Sequence, residues 1–318
     1  MTGATADAVV AVDIGGTKTA AALVDRDARI LETLSAPTPG ADGPEAILGT
    51  VIGLARELAA RPDVRVHALG VGTAGVVDVA RGAIVSATDT LARWAGTPVA
   101  AVLRDSLADV IPNGLVHVQN DVDAHAVGEF RHGAARGARS ALVVAVGTGV
   151  GGGILLEGGP LRGARHVAGE IAHMPIPGAE HLRCPCGRMG HLEALGSGIG
   201  IHRHYLSLGG DPQVADTRAL AVLAASGDDL ARRAIADGAA AVGRAIAGAV
   251  TLLDPERVVV TGGVAQIGET WWAPMERAFR AEVIDVLQNT VLLPGELGAD
   301  APLLGAAASA WDLTGEDR

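Results

Sequence analysis

Asn120-Asp121 follows a short strand expected at 116–119 and opens a helix containing Ala124, Ala126, Val127 and Phe130. A carboxylate fixed at the carboxyl end of a strand lies where α/β proteins place their ligand clefts. Within hydrogen-bond reach of a hydroxyl it can take a proton. Asn and Asp are also preferred N-caps of helices, so position alone offers Asp121 two readings, cap and general base. Glu170-Ile171-Ala172-His173 sets an acid and a base three apart, just past the glycine-rich stretch 163–169. Further on, Cys184, Cys186 and His191 put two thiols and an imidazole within eight residues, with Gly187 and Gly190 to let the loop close around an ion. That set suits tetrahedral zinc, with His173 or His181 as the fourth ligand. The cysteines are too close in sequence for an ordinary disulfide. With no third cysteine and no open-site pattern, a structural metal is favoured over a catalytic one.

These groups need a scaffold, and glycine turns mark it. The apolar run 9–12 ends in Asp13-Ile14-Gly15-Gly16-Thr17-Lys18, and hydrophobicity resumes at 20–24. A strand, a tight turn and a second strand put bare amides and a cation at the bend, which can cradle phosphates. The pattern recurs: the run 140–146 ends in Gly147-Thr148-Gly149 before a strand at 150–156, and 257–260 ends in Thr261-Gly262-Gly263. Val10-Ala11-Val12 and Val144-Ala145-Val146 hold equivalent places before their turns, which predicts two related halves. Apolar spacing predicts helices at 45–60, 98–110, 197–208, 217–225, 229–253, 270–287 and 302–313. Strands mixed with helices in two halves make an α/β fold.

Composition narrows the function classes. A chain of 318 residues with 49% hydrophobic residues can bury two cores, although aromatics supply only 2%. The net charge of −11 argues against a nucleic-acid partner. No run of about 18 purely apolar residues occurs, and the N-terminus lacks a basic stretch leading into an apolar core. A cytoplasmic protein with no membrane partner is expected.

In combination the motifs resemble the ROK family (repressors, open reading frames and kinases) of sugar kinases, within the actin-like ATPase superfamily. The resemblance runs from Asp13 to the last helix. Asp13, Gly15, Gly16, Thr17 and Lys18 are similar to the family's first phosphate motif. Gly147, Thr148 and Gly149 are similar to the second, and Gly262-Gly263 to the glycines near the adenosine. Asn120 and Asp121 match the sugar-binding asparagine and the catalytic aspartate. Glu170 and Glu193 match sugar-contacting glutamates, and His173 matches a zinc ligand beside the sugar. The resemblance implies a duplicated actin-like (ribonuclease H-like) fold of two α/β domains with a cleft between them, and a homodimer. It implies ATP and Mg2+, a structural Zn2+, and Asp121 as the base for a hexose 6-hydroxyl, with Asp13 placing the Mg2+ ion or its water. It tips Asp121 towards the base. Residues 1–118 with a C-terminal helix at 301–318 are expected to form a smaller domain, and 119–300 a larger one holding the zinc loop.

The chain departs from the family in three places. His191 stands where a third zinc cysteine is usual, giving a Cys2His2 set of His173, Cys184, Cys186 and His191. Ala172 replaces a glycine of the usual Glu-x-Gly-His, a change with little chemical consequence. In the stretch 87–94, Asp89 is the best match for an asparagine that bonds the sugar near O3. A carboxylate there still accepts from a hydroxyl, but it pairs more strongly with an ammonium group. Glucose or an aminohexose such as 3-amino-3-deoxyglucose (kanosamine) is therefore the expected substrate. An N-acetylglucosamine or N-acetylmannosamine kinase is the alternative within the class. A non-catalytic sugar-sensing regulator is the alternative outside it, disfavoured by the retained carboxylate and phosphate turns and by a first motif that starts at Asp13.

Overall fold

The computed structural model describes residues 5–88 and 90–315, which divide into two compact units. The first holds the described residues through Gly137, then Gly159–Ala168, then those from Ala299 onward. Its sheet grows from β1 (Ala6–Ile14), β2 (Lys18–Asp25) and β3 (Ile30–Pro37), an antiparallel meander. Helix α1 (Pro44–Ala59) follows, with Pro44 at its first turn, where a missing N–H costs nothing. It buries Ile47, Leu48, Val51, Leu54, Ala55 and Leu58, the face that the apolar spacing marks. Then come β4 (Val64–Thr73), a small hairpin of β5 (Val76–Asp78) and β6 (Ala83–Ser86), α2 (Val99–Ser106), β7 (Val116–Asn120) and α3 (Asp121–Arg131). The strand order is β3-β2-β1-β4-β7, with β1, β4 and β7 parallel. β1 is an unbroken apolar run because both of its faces are covered; Val9, Val10, Ala11 and Val12 are fully buried.

The second unit spans Ala138–Gly158 and Gly169–Gly298. β8 (Ser140–Val146) pairs antiparallel with β9 (Val150–Leu156). The two-residue β10 (Gly159–Pro160) falls in the first unit's segment Gly159–Ala168, and the second unit continues through the short α4 (Glu193–Gly196), α5 (Gly198–Ser207), α6 (Thr217–Ser226) and α7 (Asp229–Leu253). β11 (Arg257–Thr261), α8 (Glu269–Glu282) and β12 (Val291–Pro294) complete it. Within the second unit the strand order is β9-β8-β11-β12, again with an antiparallel hairpin beside parallel strands. The order β2-β1-β4-β7 of the first unit is thus repeated as β9-β8-β11-β12 in the second, as the repeated glycine turns lead one to expect. α7 is long and apolar enough to cross a membrane by length and composition, but 61% of its apolar window is buried inside the fold. Ala234, Ile235, Ala239, Val242, Ile246 and Val250 face the core there, with Trp271, Met275 and Phe279 in the same cluster.

Helix α9 (Ala301–Asp312) belongs to the first unit and lies across α3 at very short range. A Cβ on Gly305 would strike the Ala124 carbonyl, and one on Gly128 would strike the Ala301 carbonyl. Several expected boundaries move. Residues 119–137 join the first unit, because β7 pairs with β4 and α3 packs on α9. The helix expected at 270–287 ends at Glu282, where Val283 turns extended (φ −71°, ψ 145°). The helix expected at 98–110 is shortened to α2. β12 and the β5–β6 hairpin go unseen in the sequence because each is too short to show alternation.

Replacing Gly305 with alanine is expected to cost about 1–3 kcal/mol or more through overpacking. Gly49→Ala, on the exposed side of α1 with nothing within 4 Å of the new methyl, should instead be neutral or stabilising by up to about 1 kcal/mol. Chemical denaturation of both variants checks the pair.

Candidate active site

The parallel register of the first unit sets Ile14 opposite Thr73, and Thr73 opposite Asn120. The carboxyl ends of β1, β4 and β7 therefore share one edge, and α3 begins there with no linker. Asn120, not Asp121, is the cap. Its Oδ1 accepts from the Val122 N–H (2.8 Å) and the Asp123 N–H (3.2 Å), while its Nδ2 donates to the Gly75 carbonyl at 2.9 Å. Asp121 takes the first helical position, where the positive end of the helix favours a carboxylate. Asp13 lies close enough to feel it. Burial, then the charge of Asp121, pushes the Asp13 carboxyl from 3.8 up to about 7, and Lys18 opposes the shift.

The turn after β1 closes with the Gly15 N–H donating to the Lys18 carbonyl at 3.1 Å. Thr17 and Lys18 are exposed at its tip. Gly16 is needed there: a Cβ would stand 2.5 Å from the Thr90 Cγ2. The 87–97 loop is anchored by Leu91 and Trp94, both nearly fully buried, and the Trp94 indole donates to the Thr73 hydroxyl at 3.2 Å. Asp89 lies outside the described residues.

Sequence reasoning missed a polar group beside α3. The Arg162 Nε is 3.9 Å from the Asp123 carboxylate, and its Nη2 approaches the Gln119 Oε1 at 3.4 Å. His117 lies nearby, with burial pushing its imidazole down to about 4. Arg162 and Arg165 stand in a loop with no periodicity or motif from which this contact could be read.

In the second unit the turn at Gly147, Thr148 and Gly149 closes through the Gly147 N–H and the Gly149 carbonyl (2.9 Å). Gly262 and Gly263 follow the neighbouring parallel β11, and the Val264 N–H donates to the Val146 carbonyl at 3.0 Å. Both glycine turns of this unit therefore meet at the carboxyl edge of its sheet.

His173, Cys184, Cys186 and His191 converge, with their ligand atoms all within 4.8 Å of one another. His181 is not among them. The Cys184 Sγ lies 3.6 Å from the His173 Nδ1, and the Cys186 Sγ lies 3.2 Å from the His191 Nδ1. Bonds of ~2.0–2.3 Å to a tetrahedral zinc imply ligand–ligand edges of ~3.3–3.8 Å. The donor set and its spacing thus fit zinc, four-coordinate and closed. The other nitrogen of His173 faces the Glu170 carboxylate at 3.6 Å, the arrangement that orients an imidazole ligand. Burial raises the Glu170 carboxyl; Glu193 adds to the rise and His173 opposes it. Burial also pushes the Cys184 thiol up to about 12, so metal uptake must displace a proton there. The Glu193 Oε2 accepts from that thiol at 3.8 Å.

A family description, the ROK family, matches residues 9–312. The chain belongs to the ROK family. Among its ROK relatives, the bifunctional enzyme NanE/NanK of Brucella melitensis biotype 1 is 35% identical over 301 residues, 94% of this chain and 53% of its own length. The chain therefore spans about half of that relative. The N-acetylmannosamine kinase of Citrobacter koseri is 32% identical, over 94% of this chain and 97% of its own. A ROK family glucokinase from Streptomyces griseus, solved with glucose and AMPPNP, superposes with a TM-score of 0.78 at 31% identity, covering 96% of this chain and 99% of that one.

The raised Asp13 carboxyl has a stability consequence. Its folded pKa of about 7 exceeds the ordinary 3.8, so stability present at low pH is lost as pH rises through 7. Without Mg2+ or nucleotide, Asp13→Asn should melt higher than the parent by a few degrees at pH 8. The gap should shrink towards pH 5, as differential scanning fluorimetry would show.

Proposed function

We propose that this ROK chain is an ATP-dependent sugar kinase that phosphorylates the 6-hydroxyl of glucose or a glucose-like aminohexose. One observation carries the reading: Asp121 stands at the head of α3, held by the Asn120 cap, with a second carboxylate, the half-buried Asp13, close enough to feel its charge and just before a phosphate-type turn. Two carboxylates kept close at a strand edge suit a divalent cation and a base. Asp121 takes the proton from the attacking hydroxyl, and Asp13 places Mg2+ or its water. The glucokinase relative with glucose and AMPPNP supports the same pairing of ligands.

The amides of Gly15, Gly16 and Thr17, with Lys18, hold phosphate oxygens, and those of Gly147, Thr148 and Gly149 do likewise. Phosphoryl transfer rests on positioning and charge stabilisation rather than on covalent chemistry by the protein, so such turns are what it requires. Gly262 and Gly263 leave room for the adenosine. Asn120, Glu170, His173 and Glu193 bond the remaining sugar hydroxyls. His173, Cys184, Cys186 and His191 hold a structural Zn2+, which supplies rigidity to the loop rather than Lewis acidity. From sequence, Asp89 adds a carboxylate suited to an ammonium group at C3, which favours 3-amino-3-deoxyglucose. A homodimer is the assembly the family resemblance suggests.

A second reading within the class is an N-acetylmannosamine kinase, favoured by the Citrobacter koseri relative. An ADP-release assay over glucose, 3-amino-3-deoxyglucose, glucosamine, N-acetylglucosamine, N-acetylmannosamine, mannose and fructose separates the readings. Turnover on none of them would refute the proposal, and NMR of the product reads the phosphorylated position. Equal efficiency on glucose and its 3-amino analogue, unchanged in Asp89→Asn, would remove the amino-sugar preference. Asp121→Ala should lose at least about 10²–10⁴-fold in kcat while still binding ATP. Near-normal turnover in that variant would eliminate the base.

A further inference from the structure

We infer that the Glu193 side chain couples the metal loop to the Gly147–Gly149 turn, so that zinc and nucleotide each strengthen the other's binding. The inference rests on the kinase reading above, since it needs both ligands to occupy the places proposed there.

The carboxylate touches both features at once. Its Oε2 meets the Cys184 thiol at 3.8 Å, and its Oε1 lies 2.7 Å from where a Cβ on Gly149 would stand. The absence of a side chain at Gly149 is what admits the carboxylate. The backbone around Glu193 is tied at both ends. On the metal side, His191 is a ligand, the Leu192 N–H donates to the Met174 carbonyl (2.9 Å) beside His173, and the Ala194 N–H returns to the His191 carbonyl (3.1 Å). On the turn side, the Ser197 hydroxyl donates to the Glu193 carbonyl at 2.7 Å and accepts from the Gly200 N–H at 3.0 Å. The Gly198 N–H then donates to the Gly147 carbonyl at 2.8 Å. Residues 191–198 thus run from a metal ligand to the glycine turn with a hydrogen bond at nearly every step.

Without metal, two imidazoles and two thiols lose their common anchor, and this segment loosens at its His191 end. A nucleotide must then order the segment and the turn together. With metal bound, that ordering is already complete, so the nucleotide binds more tightly, and linkage requires the converse by the same factor. Glu193 is a positioning residue in this respect, whatever hydroxyl it also contacts.

Calorimetric titration with Mg·ADP, in the absence of sugar, tests the coupling on zinc-loaded and chelator-stripped full-length chain. Affinity should fall by about fivefold or more on stripping. On the loaded chain, competition with a chelator should show zinc held more tightly by the same factor when Mg·ADP is present. This second measurement stands even where the stripped chain unfolds. Glu193→Ala should still take up one zinc per chain and still bind Mg·ADP, with the mutual factor falling towards one. Equal affinities with and without the partner ligand, or a Glu193→Ala chain that keeps the full factor, overturns the inference alone. A chain that takes up no zinc, or when loaded binds no nucleotide, overturns the underlying reading with it.

Discussion

The parallel pairing of β1, β4 and β7 is the constraint on which the first unit's chemistry depends. It brings Ile14, Thr73 and Asn120 to one edge in register, so Asp13 near the end of β1 and Asp121 just after β7 stand at the same edge, where the charge of Asp121 helps raise Asp13. A slip of one residue in β1 would carry Asp13 to the opposite face of the sheet. The continuous burial of Val9, Val10, Ala11 and Val12 opposes less strongly than usual, because both faces are apolar. The close-fitting α3 and α9 add a further check. Gly72 lies under α3, where a Cβ would come within 3.1 Å of the Ala124 methyl, so the helix that carries Asp121 packs tightly on the sheet there. The raised Asp13 carboxyl accompanies that fit, its causes being burial and then the charge of Asp121.

Much of this was legible in the residue order. The strands ending in Gly15-Gly16 and Gly147-Thr148-Gly149 stand out because a long apolar run stopping at glycines has few other uses. α7 is readable almost to the residue because Asp228 caps it, its side chain accepting from the Ala231 N–H, and Asp254 closes it in a left-handed turn (φ 45°). The convergence of Cys184, Cys186 and His191 was also readable, since a short loop rich in thiol, imidazole and glycine has little choice of partner. What spacing left open was His173 against His181, and only tertiary placement decides that. The division of the Asn120-Asp121 pair was equally hidden. Either residue type can cap a helix, and the cap passes to whichever one keeps extended backbone, here Asn120 (φ −62°, ψ 148°). Arg162 could not be found at all, because its partners Gln119 and Asp123 lie some forty residues away in sequence.

Replacing a cysteine by His191 changes the electrostatics of the second unit more than its geometry. A divalent ion held by three thiolates and one imidazole carries a net charge of −1, whereas two thiolates and two imidazoles leave it neutral. The difference matters here because Glu170 and Glu193 both lie against the cluster, and their mutual repulsion already helps raise the Glu170 carboxyl. A third thiolate would add to that repulsion in a partly buried setting, where charges are screened less than in water. With histidine in its place that added repulsion is absent, and the Glu170 and Glu193 carboxylates sit beside a less negative donor set.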